Sequence, residues 1–197
     1  MKRVLFLLLV LCLGTGTTIF AQDKEVEKAA KKAQKEAKKA EKAAKKAAAE
    51  AAEMALFEQC VKAMENRDFV VEADRVEFKR GQFVNVNAST NFVSMRGDHA
   101  TIQLAFNGPG IGANGMGGIT VDGRATNVEI ETDKKGNVTF KMMVQGVAVS
   151  AGITIRIAKG TDQCSATVNP NFNSNRVSFT GTMKPAGSSN VFKGRAL

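Results

Sequence analysis

The 197-residue chain has no Trp, no Tyr, a single His and only three Cys. Each shortage excludes a class of protein. One His cannot build a His-rich metal site and leaves few options for acid–base chemistry near neutral pH. Three Cys are too few for a disulfide-dense small scaffold. Every aromatic is a Phe, mostly at inward strand positions and not interleaved with basic residues, which argues against a nucleic-acid stacking platform. What is present is 44% apolar residues, too many for a wholly disordered chain, and a net charge of +9. That charge is dispersed: +2 lies in residues 1–21, +3 in 22–53 and +4 in the remainder. Dispersed charge of this size does not make a nucleic-acid patch.

Residues 1–21 read as a signal peptide. Lys2 and Arg3 form a charged start, Val4 to Leu13 is an unbroken apolar run, and small or turn-prone residues lead to Ala21 and a cleavage point before Gln22. The run is too short for a transmembrane helix. Cys12 lies inside it and follows Leu11, so it does not fit a lipidation site. The expected address is exported, periplasmic or outer-envelope associated. There the mature chain keeps Cys60 and Cys164, either as a disulfide or as two buried thiols.

Residues 22–53 contain twelve Ala, ten Lys and seven acids with no Gly or Pro, a composition that predicts one continuous helix about 48 Å long. Glu27–Lys31 and Glu41–Lys45 are favourable i,i+4 pairs, offset by several Lys–Lys pairs at the same spacing. Val26, Ala30, Ala33, Ala37, Ala40, Ala44, Ala47 and Ala51 mark a heptad seam made of Ala, whose small side chains bury little area. The segment reads as a solvated spacer, with weak self-association through the seam as the alternative. Met54, Phe57, Val61 and Met64, with Leu56 and Cys60 beside them, then form an apolar stripe able to dock on a core, with Asn66 as the expected end.

From Asp68 the period changes to two. Phe69, Val71 and Ala73, then Val76 and Phe78, predict a strand with a bulge near Asp74–Arg75. Ala100, Ile102, Leu104 and Phe106 alternate with polar or small residues. Asp133–Asn137 reads as a hairpin turn between Ile130 and Val138. Eight to ten short strands without intervening helices predict a mainly β, antiparallel sandwich or barrel-like domain, preceded by the long Ala/Lys/Glu helix. The domain boundaries expected are 1–21, 22–53, 54–185, and a flexible Gly/Ser-rich tail over 186–197, loose apart from an anchor at Val191–Phe192.

The short motifs point away from chemistry. Gly110-Ile-Gly-Ala-Asn-Gly115 has dinucleotide-site spacing, but strand-like Ile119-Thr-Val121 follows where a helix is needed, so no cofactor is expected. Gly108, Gly110, Gly112, Gly115, Gly117 and Gly118 instead form a loop that could flank a ligand mouth. Arg96-Gly-Asp98 reads as a tight turn and not an adhesion motif. His99 has outward parity and lacks chain neighbours for a catalytic set. Asp122, Glu129, Glu131 and Asp133 lack the dense oxygen spacing of a calcium loop, so no metal is expected.

Phe57-Glu-Gln-Cys60, Arg67-Asp-Phe-Val-Val-Glu-Ala73, Asn91-Phe-Val-Ser-Met-Arg-Gly-Asp98, Ala100-Thr-Ile-Gln-Leu-Ala-Phe106, Gly117-Gly-Ile119 and Arg176-Val-Ser-Phe-Thr-Gly181 before Pro185 carry a resemblance. Over residues 55–185 the chain resembles the bacterial envelope family called domain of unknown function 4251. The resemblance implies a secreted β domain and supplies no catalytic residues. The expectation is therefore a non-enzymatic envelope protein that binds an apolar ligand or an envelope partner. The alternative is a structural role for the helix as spacer or weak coiled-coil tether to another envelope protein or the cell wall.

Overall fold

The structure, a computed structural model, describes residues 19–105, 118–147, 150–171 and 176–196. Helix α1 spans Ile19–Glu65 without interruption, as its lack of Gly and Pro dictates. Every described side chain from Glu27 to Glu53 is exposed. Glu27–Lys31 and Glu41–Lys45 pair at 2.5 and 2.7 Å on this solvated surface. The chain packs as two units, dividing after Ala48.

In the second unit the apolar stripe changes the helix's fate. Phe57, Cys60, Ala63 and Met64 are buried, and Met54 and Val61 pack beside them. The helix ends where expected: Asn66 N–H donates to Lys62 O at 3.0 Å, and Arg67 turns the chain with φ 54°. A left-handed residue just past the last turn is a common helix stop.

Among the described residues nine antiparallel strands follow: β1 (Asp68–Phe78), β2 (Phe83–Asn85), β3 (Phe92–Arg96), β4 (His99–Ala105), β5 (Gly118–Thr132), β6 (Val138–Gly146), β7 (Ser150–Ile157), β8 (Gln163–Pro170) and β9 (Val177–Pro185). Their order is β2-β1-β3-β4-β5-β6-β7-β8-β9, and β1 also pairs with β9. That last pairing closes eight strands into a barrel, leaving β2 as an extra strand beside β1. Of the two architectures the sequence allows, the sandwich is excluded by this closure. Closure removes the open edges that a flat sheet would leave. From β1 the Arg75 guanidinium stands 3.9 Å over the exposed Phe83 ring of β2, a cation–π contact.

The predicted irregularities appear. The β1–β9 register shifts between Ala73 and Arg75, at the bulge expected there. Gly97-Asp98 turns β3 into β4 with Gly97 at φ 63°. Asp133 N–H donates to Asn137 O at 2.9 Å in the β5–β6 turn. Strand-like Ile119–Val121 and the residues leading to the Asp133 turn belong to one strand, β5. It is kept continuous across a register shift between Thr126 and Glu129, where Asn127 takes φ 50°.

Alternation sends one face of every barrel strand inward. Phe69, Val71, Val93, Met95, Phe140, Val144, Ile153, Ile155 and Phe179 are buried in one continuous core. Phe69 and Phe140 meet edge to face, with centroids 5.1 Å apart and planes at 79°, the arrangement the ring quadrupoles favour. Met64 and Cys60 of α1 join that core, and Cys60 Sγ donates to Met183 O at 3.3 Å. The last turns of α1 thus cap the barrel end at which β1 starts and β9 finishes. Among the described residues no helix is long and apolar enough to cross a membrane.

Candidate functional site

Two features of the strands mark an outer surface that is itself covered. Val70 and Phe92 are apolar at outward parity, yet both are fully buried. What buries them is the chain after β9. It makes a short 3-10 turn at Ala186–Ser188 and then runs along the outside of β1, β3 and β4. Ala186 and Val191 pack on Val70 and Phe92 in a small core of their own, outside the barrel.

Polar side chains fasten this strap. Gln103 projects from β4 and is fully buried. Its Nε2 donates to Thr90 O at 2.9 Å and Phe192 O at 2.7 Å. Its Oε1 accepts from Thr120 Oγ1 at 3.0 Å and from Gly194 N–H at 2.7 Å. Ser189 Oγ donates to Glu72 Oε1 at 2.6 Å, and Lys184 Nζ to Glu72 Oε2 at 2.7 Å. Phe192 N–H donates to Ser89 O at 2.8 Å. In a segment whose composition suggests a flexible tail, Val191 is packed, Phe192 is held through its backbone with its ring exposed, and the remaining contacts come from strands far away in sequence.

Beside the strap, ionisable groups converge. Asp122 Oδ1 lies 2.6 Å from His99 Nε2 and accepts from Thr101 Oγ1 at 2.7 Å. Its Oδ2 accepts from Lys193 Nζ at 2.5 Å. Register explains the meeting: Thr101 pairs directly with Asp122 across β4–β5, and His99 is one outward position along. Partial burial of the Asp122 carboxyl alone would raise its pKa. The hydrogen bonds from Lys193, Thr101 and His99, with the Lys193 charge, outweigh burial and hold it below the ordinary value. In front of the cluster is a depression of about 250 Å³ lined by Phe92, Ser94, Arg96, His99, Thr101, Val191 and Lys193.

A wider and more open groove of about 490 Å³ crosses β6–β9 at Thr139, Arg156, Ser165 and Thr180. Its hydroxyls are spread along a flat wall and only one guanidinium faces it, so the strap depression is the better candidate.

The residues singled out by sequence fall as follows. Cys60 and Cys164 are separate thiols, both buried in the barrel core. Burial, with the Asp162 charge, pushes the Cys60 thiol up to about 11. Burial pushes Cys164 higher still, aided by Cys60, Asp162 and Asp74. Such thiols are neutral and unreactive near neutral pH. Gly108, Gly110, Gly112, Gly115 and Gly117 lie outside the described residues, as does nearly all of segment 1–21. Gly118 opens β5, where an added Cβ would stand 1.6 Å from Leu104 O; it is a packing glycine at the strand pair. His99 is exposed as its parity implied, but Asp122 provides the neighbour the local sequence lacked. Glu129 and Glu131 face Lys141 at 3.9 and 2.9 Å, and Asp133 serves its turn. Among the described residues no three His, Cys, Asp or Glu side chains group as metal ligands would.

The family model described as a domain of unknown function, DUF4251, matches residues 51–183. The chain belongs to the DUF4251 family. A crystal structure of a DUF4251 family protein from Bacteroides eggerthii superposes with a TM-score of 0.63 at 39% identity, covering 75% of this chain and 99% of that one. No curated protein matches the chain. The match begins within α1 and contains the whole barrel up to Met183, so both the strap and the Ala-rich part of the helix before residue 51 lie beyond it.

Proposed function

We propose that this DUF4251 protein is an exported, non-enzymatic binding module of the bacterial envelope. Its barrel engages a partner through the outer wall, and its Ala/Lys/Glu helix acts as a spacer. One observation carries the reading: side chains fill the barrel interior and the last turns of α1 cap one end. Barrels that carry apolar ligands keep their interiors open. Of the two occupants the sequence allowed, the envelope partner is therefore favoured over an apolar ligand inside the barrel. Export is supported by the charged, apolar and small-residue order of residues 1–21. The spacer role is supported by the uninterrupted helix and its exposed side chains.

Fractionation of cells producing the full chain tests this. The reading expects the chain in the envelope fraction, cleaved after Ala21, and a change in envelope retention or association state when residues 22–48 are deleted. Cytosolic, uncleaved protein contradicts export. A deletion that alters neither retention nor sedimentation contradicts the spacer.

A further inference from the structure

We infer that the depression between the strap and the β3–β4 wall is a binding site for a small ligand bearing a carboxylate on an apolar body. The inference rests on the outer wall being the working surface, and names what that surface takes.

The lining separates into two kinds of surface. Val191 gives an apolar edge, backed by the buried Phe92 ring on which it packs. Arg96, Lys193 and His99 give a basic side, with hydroxyls of Ser94 and Thr101 between. Asp122 does not compete for this role, and Asp68, which faces Arg96 across β1–β3, makes no ion pair with it among the described residues. Both oxygens of Asp122 are engaged, Oδ1 by His99 and Thr101 and Oδ2 by Lys193. Arg96 is different. Among the described residues its hydrogen bond is a single long one, 3.4 Å to Ala186 O. A guanidinium has five N–H donors in a planar fork that matches a carboxylate with two parallel bonds. Lys193 uses one of three ammonium donors on Asp122, which fixes its position and leaves donors for a second anion.

Size limits the ligand. At about 30 Å³ per water in the liquid, a space of about 250 Å³ corresponds to roughly eight waters, enough for a benzoate-sized molecule. The strap brings Lys193 and Val191 to the site, and Gln103 holds the strap on both sides of Lys193, through Phe192 O and Gly194 N–H. The site is therefore assembled by the folded chain and does not depend on a free side chain finding its place.

Titration of the full chain with benzoate, followed by amide NMR, tests the inference, with neutral benzamide and inorganic phosphate as comparison probes. Expected are saturable shifts at Ser94, Arg96, Thr101 and Lys193 with benzoate and responses at least fivefold weaker to the other two. Arg96→Gln should weaken benzoate at least tenfold. Ser94→Phe, which fills the depression and leaves the charges intact, should abolish the response, and it stands as a second variant should Arg96→Gln not fold. Absence of saturable benzoate shifts overturns the site, as does an equal response to benzamide or phosphate, or unchanged affinity in a folded variant. Any of these results with the chain still in the envelope fraction removes the site alone, whereas a cytosolic chain removes the reading of the whole protein.

Discussion

Gln103 makes four hydrogen bonds from a fully buried position, two with the strap and two with the barrel wall and its loop. Substitution by Ala removes one partner from each and leaves buried carbonyls and an N–H unsatisfied, a cost of about 1–3 kcal/mol. Urea unfolding of Gln103→Ala should show a lower midpoint with an unchanged slope. Asp122 gives a prediction in pH. Its carboxyl is held below the ordinary aspartate value, so its contribution is complete above that value and is lost as pH falls through the folded-state pKa. Melting temperatures of the native chain and of Asp122→Asn should therefore converge as pH drops below about 4, with the native chain the more stable at pH 6. At this scale little of the site was legible. His99 could be placed outward by parity, but Asp122 reaches it from another strand and Lys193 from the far end of the chain, and only register brings them together. One signal did exist: Val70 and Phe92 are apolar at positions that alternation assigns to solvent, which implies a cover.

Elements were far more legible, because strands and helices follow from periodicity. The β1 bulge, the Gly97-Asp98 turn and the end of α1 near Asn66 all lie where residue pattern places them. The length of β5 was not legible, since the irregular stretch between Thr126 and Glu129 reads as a break in alternation although pairing with β6 resumes beyond it. Pairing geometry gives the clearest element-scale test. A Cβ at Gly181 would stand 2.0 Å from the Glu72 carbonyl oxygen, at the β1–β9 seam that closes the barrel. The β1 backbone at Glu72–Ala73 cannot yield cheaply, so Gly181→Ala should destabilise by on the order of 3 kcal/mol, measurable by thermal denaturation. The strap offers a second test. Truncation after Ser188 removes Val191 from Val70 and Phe92 and both strap bonds of Gln103. The melting temperature should fall by roughly 5–10 °C, with increased binding of a hydrophobic dye to the uncovered patch.

At the scale of the whole molecule, the sequence supports a mainly β domain behind a helix but leaves sandwich and barrel equally open. Both bury one face of each strand, so alternation cannot separate them. The β1–β9 pairing decides for the barrel, and it is the longest-range contact between strands. The apolar stripe from Met54 to Met64 announced a docking helix; that it caps a barrel end follows only from the closure. The proposed function accordingly places binding on the outer wall and leaves the interior to packing. Titrating the folded full chain with a fluorescent apolar probe such as N-phenylnaphthylamine tests this most directly. The filled barrel predicts no saturable binding in the native protein, and stoichiometric binding at micromolar probe would contradict it.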